Sequence, residues 1–319
     1  MTADAALPQP ADWGEQFHCY TAALGVWISR NEDRWWRPLL DGGPELAVTP
    51  QPSGVWRFDH SPRPWLEVLG LSVRSAATWA EARVELAADF AAGPVILAGD
   101  IFTLPWQLEH GSRHAPHWVA IYREGADLVA DDPLILMNEA GTQQSYRGVF
   151  TLDDLAEIGT AMPAGNEIHW LRERSVIGAQ DPAEGAAYRW FAAGPAVADP
   201  RYDDPGRLTG PDALRALADD LDARGAESAV LLQADDLWQA VRQRELAAAV
   251  AKQDPEFFDV GAAEAERRLE ALAVWRDLPV LLAHARIRAA VGNPRATAGA
   301  SEVLRELAEL EPRLAEEKI

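Results

Sequence analysis

The 319 residues carry 50 acidic against 29 basic side chains, a formal net charge of −21, and 48% of them are hydrophobic. A nucleic-acid-binding surface needs clustered lysine and arginine, so this charge argues against a nucleic acid as partner. The length exceeds the size at which one core usually divides, so we expect two domains. No apolar run approaches the roughly 20 residues of a membrane helix, and no secretory signal is visible, which predicts a cytoplasmic protein that does not enter a membrane.

The first 175 residues predict a domain of mixed helices and strands. Apolar spacing predicts one helix over 17–31 and another over 78–90, which stops before Gly93-Pro94. The segment between them, up to Pro64, is rich in Trp, Pro and Gly and is typical of irregular structure with short strands. Strands are predicted at 94–99, 118–122, 127–130 and 168–171, and a short helix at 150–157. A helix first and antiparallel strands later is the pattern of an α+β domain.

The second half of the chain predicts a connection followed by an all-helical domain. Residues 176–210 are rich in Pro, Gly and Ala and are expected to link the two domains. Gly210-Pro211 then begins a helix that ends at Gly225. Apolar spacing predicts further helices at about 233–253, 260–275, 278–291 and 298–317. We therefore expect a helical domain over 211–319.

The only cysteine, Cys19, stands near the start of the first predicted helix. A single thiol forms neither an internal disulfide nor a four-cysteine zinc site, so its role is packing or chemistry. The dipole at a helix N-terminus favours the thiolate form of such a side chain. The alternative is a small buried residue in an alanine-rich helix, which is the commonest role of a lone cysteine.

A histidine and two aspartates follow the cysteine in an order compatible with a cysteine-nucleophile triad on a papain-like scaffold. His117 begins an apolar strand, and Asp131 and Asp132 end the next strand. His117 is the expected base, and an aspartate that accepts a hydrogen bond from its other ring nitrogen would fix the tautomer. Asp132, directly before Pro133, is favoured, and Asp131 remains the alternative. Structural histidine is the competing interpretation of His117.

Two further polar residues lie near this constellation. Asp100, at the end of an apolar run, is expected either to cap a turn or to pair with a substrate ammonium. His114 is interpreted as a polar neighbour of the site or as an ordinary loop histidine. His110, His114 and His117 lack a carboxylate or thiol at convincing ligand spacing, so no metal is expected.

Three segments resemble the N-terminal domain of the butirosin biosynthesis protein H family, which is related to papain-like and C39-like peptidases. They are residues 18–24, 94–106 and 114–122. The most specific is Asp100-Ile101-Phe102-Thr103-Leu104-Pro105-Trp106, which is similar to the family's signature of Asp, three residues and Leu-Pro-aromatic. The resemblance is firm over about the first 135 residues, and the part after Gly210-Pro211 also looks like the region that follows in this family.

The resemblance implies a cysteine-dependent acyltransferase of natural-product biosynthesis. The family's prototype moves an aminoacyl group from a carrier-protein phosphopantetheine thioester to an amine of an aminoglycoside. By that analogy Cys19 would carry the acyl group, His117 would deprotonate the acceptor amine and Asp132 would orient His117. The implied partners are an acyl or peptidyl carrier protein and a small-molecule acceptor. No cofactor is needed, because the pantetheine arm arrives with the donor.

The chain departs from the family pattern in two places. Where the family has a glycine-rich segment, this chain has Trp-Trp-Arg-Pro-Leu-Leu-Asp-Gly-Gly at residues 35–43. The acceptor pocket, and with it the identity of the acceptor, is therefore not implied by the resemblance. Papain-like enzymes place an oxyanion-donating glutamine about six residues before the cysteine, where this chain has Trp13. We therefore expect the oxyanion hole to use the Cys19 backbone N–H with Gln16 or another donor.

Two other functions compete with acyl transfer on this scaffold. A cysteine peptidase or thioester hydrolase would let water resolve the acyl-enzyme, whereas a transferase would use an amine and could release a cyclised product. A non-catalytic binding protein would use the helical domain as a platform for a partner. The sequence leaves open whether that domain docks a carrier protein, covers the active site or forms a homodimer.

Overall fold

A computed structural model describes residues 8–41, 43–138, 141–162, 166–178, 180, 185–195, 204–258, 262–293 and 295–311. The protein is 50% helical and 20% strand, which confirms the predicted α+β class. Its helices, in chain order, are α1 (Cys19–Ser29), α2 (Trp36–Leu40), α3 (Trp65–Val68), α4 (Trp79–Ala92), α5 (Leu155–Ile158), α6 (Glu167–Ile177), α7 (Gly210–Arg224), α8 (Ala234–Gln253), α9 (Pro255–Phe258), α10 (Ala262–Ala290) and α11 (Ala298–Leu310). Short 3₁₀ turns cover Pro10–Gln16, Gly225–Glu227 and Ala229–Leu231.

The strands belong to three antiparallel sheets. In chain order they are β1 (Ala47–Pro50), β2 (Trp56–Asp59), β3 (Leu71–Ala76), β4 (Val95–Asp100), β5 (Pro116–Glu124), β6 (Asp127–Asp132), β7 (Leu136–Asn138), β8 (Gly141–Gln143), β9 (Tyr146–Phe150), β10 (Tyr188–Ala193) and β11 (Leu208–Thr209). The largest sheet has the order β3-β10-β4-β5-β6-β9, the second is β11-β1-β2, and β7-β8 is a two-stranded hairpin.

The chain forms two compact units whose boundaries differ from the predicted domains 1–175, 176–210 and 211–319. Unit 1 consists of Met1–Asp41, Arg63–His169 and Val176–Pro200. Unit 2 consists of Gly42–Pro62, Trp170–Ser175 and Arg201–Ile319. Each unit is therefore assembled from segments that are separated in the sequence.

Unit 1 contains the six-stranded sheet, and two of the predictions for its segments were wrong. Strand β10 lies inside the predicted connection 176–210 and pairs with both β3 and β4. Its Trp190 and Phe191 are fully buried, so the strand has neither an exposed face nor an alternating pattern. The strand predicted at 168–171 is part of helix α6 instead.

The two faces of this sheet are covered by different helices. Leu86 and Phe90 of α4 share a core with Val119 and Ile121 of β5. On the other face, Val26 of α1 packs on Ala120, Tyr122 and Val129. Because side chains alternate along a strand, odd-numbered residues of β5 point towards α4 and even-numbered ones towards α1.

Local signals explain where these two helices begin. Thr78 and Glu81 form a capping box for α4, since the Glu81 carboxylate accepts from the Thr78 amide at 3.0 Å and Thr78 Oγ1 accepts from the Glu81 amide at 3.3 Å. The helix ends at Ala92, one residue before Gly93-Pro94. At the start of α1, the His18 amide donates to Thr21 Oγ1 at 3.1 Å.

Unit 2 is not all-helical, because its helices share a core with the sheet β11-β1-β2. Leu46, Val48 and Phe58 are buried together with Leu214, Trp275 and other helical residues. The two helices predicted at 260–275 and 278–291 are one continuous helix, α10, which passes through Pro279. Within the described part of the chain, no helix has the length and apolarity to cross a membrane.

Candidate active site

Cys19 is the first residue of α1 and is partly exposed. The hydrogen-bond ladder of the helix begins with the Ala22 amide, which donates to the His18 carbonyl at 2.9 Å. Cys19 therefore lies in the first turn, where backbone N–H groups point away from the helix and its dipole favours negative charge. The predicted position of Cys19 near the start of a helix is confirmed, whereas its thiolate form stays a prediction.

His117 and Asp132 are brought together as a buried pair. The Nε2 atom of His117 lies 2.8 Å from Asp132 Oδ2, and the two residues are 3% and 1% exposed. Such a separation between a ring nitrogen and a carboxylate oxygen requires a proton between them. The neutral ring therefore holds its proton on Nε2 and keeps its lone pair on Nδ1, the tautomer in which Nδ1 can act as a base.

Two residues of the loop between β4 and β5 hold the Asp132 carboxylate, and neither role was predicted from the sequence. Oδ2 accepts hydrogen bonds from Trp106 Nε1 at 2.9 Å and from Gln107 Nε2 at 3.0 Å. The indole ring of Trp106 stacks on Tyr146, with ring centroids 4.2 Å apart and planes 1° apart. The sequence does show two hydrogen-bond donors, Trp106 and Gln107, directly after Leu104-Pro105. Which acceptor they meet depends on the tertiary structure.

Asp131, the alternative acid, has a different partner. It accepts a hydrogen bond of 3.0 Å from the Tyr122 hydroxyl, which Arg147 Nε approaches at 3.4 Å. Burial raises the pKa of Asp131, and burial likewise raises the pKa of Tyr122. The two neighbouring aspartates point to opposite faces of the sheet, and Asp132 is the one that meets His117.

Asp100 and His114 form a second carboxylate–imidazole pair. His114 Nδ1 lies 2.5 Å from Asp100 Oδ2, while Oδ1 accepts from the amides of Phe102 and Ala115, each at 3.1 Å. Asp100 is therefore a buried turn-organising carboxylate, one of its two predicted roles. His114 stacks on Phe102 at 4.3 Å and its side chain stays 53% exposed. Across the described ranges, no three metal-binding side chains converge on one point.

The first turn of α1 lies at the sheet end that carries these pairs. Tyr20 packs on Trp118, near the start of β5, with ring centroids 4.6 Å apart. At the other end of α1, Arg30 directly follows the last helical residue, and its guanidinium lies 4.0 Å from the ring centroid of Tyr122, further along β5. Helix α1 therefore runs alongside β5 in the same direction. Cys19, which precedes Tyr20, is at the end where β5 begins with Pro116 and His117.

Cys19 and His117 do not lie on one face of the sheet. Because side chains alternate along β5, His117 points to the same face as Val119 and Ile121, which pack towards α4. Helix α1 covers the opposite face. Asp100 lies opposite Pro116 of β5, so its side chain points to the face that α1 covers. A thiol–imidazole contact between Cys19 and His117 has to be made around the end of the sheet.

The segment before Cys19 is tied directly to the segment after Asp132. The Ile135 amide donates to the Gly14 carbonyl at 3.0 Å. A Cβ at position 14 would lie 2.2 Å from the Pro133 carbonyl oxygen, so only glycine permits this approach. Trp13, at the position of the papain-like glutamine, is buried against Trp35 and Trp36. Gln16 is half-buried at the end of the same turn, and its oxyanion role stays a prediction.

The chain was compared with protein-family models and with curated proteins, and neither comparison gives a match. The resemblance to the butirosin biosynthesis protein H family thus remains a prediction from the motif residues.

Proposed function

We propose that this protein is a cysteine-dependent acyltransferase on a papain-like scaffold, followed by a helical C-terminal region. The observation that carries the proposal is the buried His117–Asp132 pair, which leaves the Nδ1 lone pair available. It lies at the sheet end where Cys19 begins α1. A nucleophile in a helical first turn, a base on one strand and an orienting acid on the next are the parts of a cysteine triad.

In the first half-reaction, the Cys19 thiolate attacks the carbonyl carbon of a carrier-bound thioester. A bond forms between that carbon and the Cys19 sulfur, and the bond to the pantetheine sulfur breaks. The departing pantetheine thiolate takes the proton that His117 had received from Cys19. The developing oxyanion is stabilised by the Cys19 amide with Gln16.

In the second half-reaction, an uncharged amine attacks the acyl-enzyme. A carbon–nitrogen bond forms, the bond to sulfur breaks, and His117 accepts the proton that the amine loses. Cys19 leaves as a thiolate, which restores the starting ion pair. Asp132 keeps the ring oriented through both steps and compensates the charge of the imidazolium. Under the same scheme, water in place of the amine would make the protein a thioester hydrolase.

Intact-protein mass spectrometry with a panel of acyl-pantetheine thioesters tests this proposal. The wild type should gain the mass of the acyl group, and Cys19→Ala should not. His117→Ala should slow acylation by roughly 10²-fold, because a general base contributes about that factor. His110→Ala is the matched control, since His110 is an exposed histidine of the loop that precedes β5, and it should acylate normally.

Adding candidate amines to the acylated wild type then separates transfer from hydrolysis. Release of an amide supports a transferase, and release of the free acid supports a hydrolase. Unchanged acylation of Cys19→Ala would contradict the role of this cysteine. A folded wild type that consumes none of the thioesters would contradict the proposed function itself.

A further inference from the structure

Aminolysis of an acyl-enzyme by an ordinary alkyl amine requires the removal of two protons. Alkyl amines have a pKa of about 10, as lysine does, so at neutral pH the acceptor arrives as an ammonium ion. One proton must leave before nitrogen has a lone pair, and a second leaves when the carbon–nitrogen bond forms. In the scheme above His117 takes only the second proton. An enzyme that binds such an acceptor as its ammonium ion needs another base.

The Asp100–His114 pair has the construction of a base that exchanges protons with solvent. The 2.5 Å separation between His114 Nδ1 and Asp100 Oδ2 requires a proton between them, so the neutral ring has its lone pair on Nε2. Asp100 is 2% exposed and is fixed by two backbone amides, and Phe102 stacks on the imidazole ring. The carboxylate is thus buried and oriented, while the imidazole reaches water.

The position of this pair relative to Cys19 follows from the register of β4 and β5. Ala98 lies opposite Trp118, which contacts Tyr20, and Asp100 lies two residues further along β4 on the same face. Two residues advance a strand by roughly 7 Å. Cys19 extends past the Tyr20–Trp118 contact in the same direction, because α1 runs alongside β5. Asp100 and Cys19 therefore share one face and one end of the sheet.

We infer that His114, oriented by Asp100, is a second base of the site, which deprotonates an alkyl amine that enters as an ammonium ion. Nε2 of His114 takes one proton from the ammonium nitrogen, which becomes the uncharged nucleophile. The imidazolium then gives this proton to water or buffer. The inference rests on the proposed function and adds to it a second general base.

The two half-reactions test the inference separately. His114→Ala should acylate Cys19 at the wild-type rate and transfer the acyl group to an alkyl amine roughly 10²-fold more slowly. With hydroxylamine, which is uncharged at neutral pH, His114→Ala and wild type should react equally fast. Added imidazole should restore transfer to the alkyl amine in His114→Ala. His110→Ala is again the matched control.

Each outcome bears on the inference. Equal loss with both amines would overturn it, because a merely structural role of His114 does not depend on the charge of the acceptor. Loss of acylation in His114→Ala, with a wild-type circular dichroism spectrum, would overturn it by making His114 the base for Cys19. An Asp100→Asn variant that is folded and transfers at the wild-type rate would also contradict it. A wild type without any acyl adduct would instead remove the proposed function, and the inference with it.

Discussion

Asp132 is a carboxylate with 1% of its surface exposed, and such a group is costly to bury without partners. Three side-chain donors converge on Oδ2, from Trp106, Gln107 and His117, and the Leu134 amide approaches Oδ1 at 3.3 Å. Hydrogen bonds to a charged acceptor are about twice as strong as neutral ones. The donors therefore offset the loss of water and fix the direction in which the carboxylate faces His117.

At this scale we predict that Trp106→Phe removes one of those donors while the ring stays stacked on Tyr146. The free energy of unfolding should fall by about 1.5–3 kcal/mol, the usual contribution of a hydrogen bond to a charged group. Urea unfolding measures this change. Trp79→Phe is the control, because Trp79 is likewise partly buried and packs on Tyr188 with ring centroids 5.4 Å apart, and it should cost less. Equal losses in the two variants would show that the Trp106–Asp132 bond contributes little.

The residue types and their order were enough to single out Cys19, His117 and the two aspartates. They were not enough to choose between Asp131 and Asp132. Neighbouring residues of a strand point to opposite faces, so the choice depends on which face His117 occupies. That face is set by the pairing of β5 with β6 and by the helices packed on the sheet, which one sequence does not reveal. Gln107 was missed for the same reason.

At the scale of the element, the end of strand β2 buries charge and an uncharged histidine side by side. Asp59 is fully buried, and its Oδ1 accepts a hydrogen bond from Arg57 Nε at 3.0 Å while its Oδ2 accepts one from Arg207 Nε at 3.1 Å. His60, the next residue, is also buried. Burial, together with the positive charges of Arg244 and Arg172, lowers the pKa of His60 to about 3. The folded protein therefore holds this imidazole neutral between pH 5 and pH 7.

We predict that His60 makes unit 2 less stable as the pH falls from 7 to 5. The unfolded chain binds a proton at this histidine below a pKa of about 6.5, and the folded chain does not, so acid favours unfolding. The loss from this group should be about 2 kcal/mol over that range. Urea unfolding of wild type and His60→Leu at both pH values measures it, and the variant should lose less. His284→Gln, at an exposed position of α10, should keep the wild-type pH dependence. An identical loss in His60→Leu would contradict the prediction.

The amphipathic helix α4 and the uninterrupted apolar run of β4 were predictable, whereas strand β10 was not. The amphipathic spacing of residues 78–90 predicted α4, which spans Trp79–Ala92. Strand β10 has Trp190 and Phe191 buried between two neighbouring strands, and its sequence context is rich in alanine and glycine. Period-two alternation exists only where one face meets water, so this strand carried no such signal.

At the scale of the whole molecule, the boundary at 175 could not be corrected from the sequence, because both units are discontinuous. Residues 42–62 contribute Leu46, Val48 and Phe58 to the core of unit 2. Composition and turn residues report only on the local chain. These three residues contact helices that lie more than 150 positions away in the sequence, which local signals do not reveal. A segment that leaves one unit for another and returns shows no compositional change.

We predict that a fragment of residues 211–319 forms helices but does not unfold cooperatively. It lacks the apolar side chains that β1 and β2 supply to the core, so its interior should bind the dye ANS and lose near-ultraviolet circular dichroism. Residues 204–311 joined to 42–62 by a flexible Gly/Ser linker are the control, and they should recover a sharper urea transition. A cooperative transition in the 211–319 fragment would show that the helices form a sufficient core alone.

The loop between β4 and β5 supplies partners to both carboxylate–imidazole pairs. Asp100 and His114 stand at its two ends, and Trp106 and Gln107 in its interior reach Asp132. The two carboxylate–imidazole pairs therefore depend on the same loop. An insertion or deletion in this loop alters the surroundings of both pairs at once. Natural variation can therefore change one pair without the other only by point substitution. A change of loop length would need compensating substitutions at both pairs in the same step.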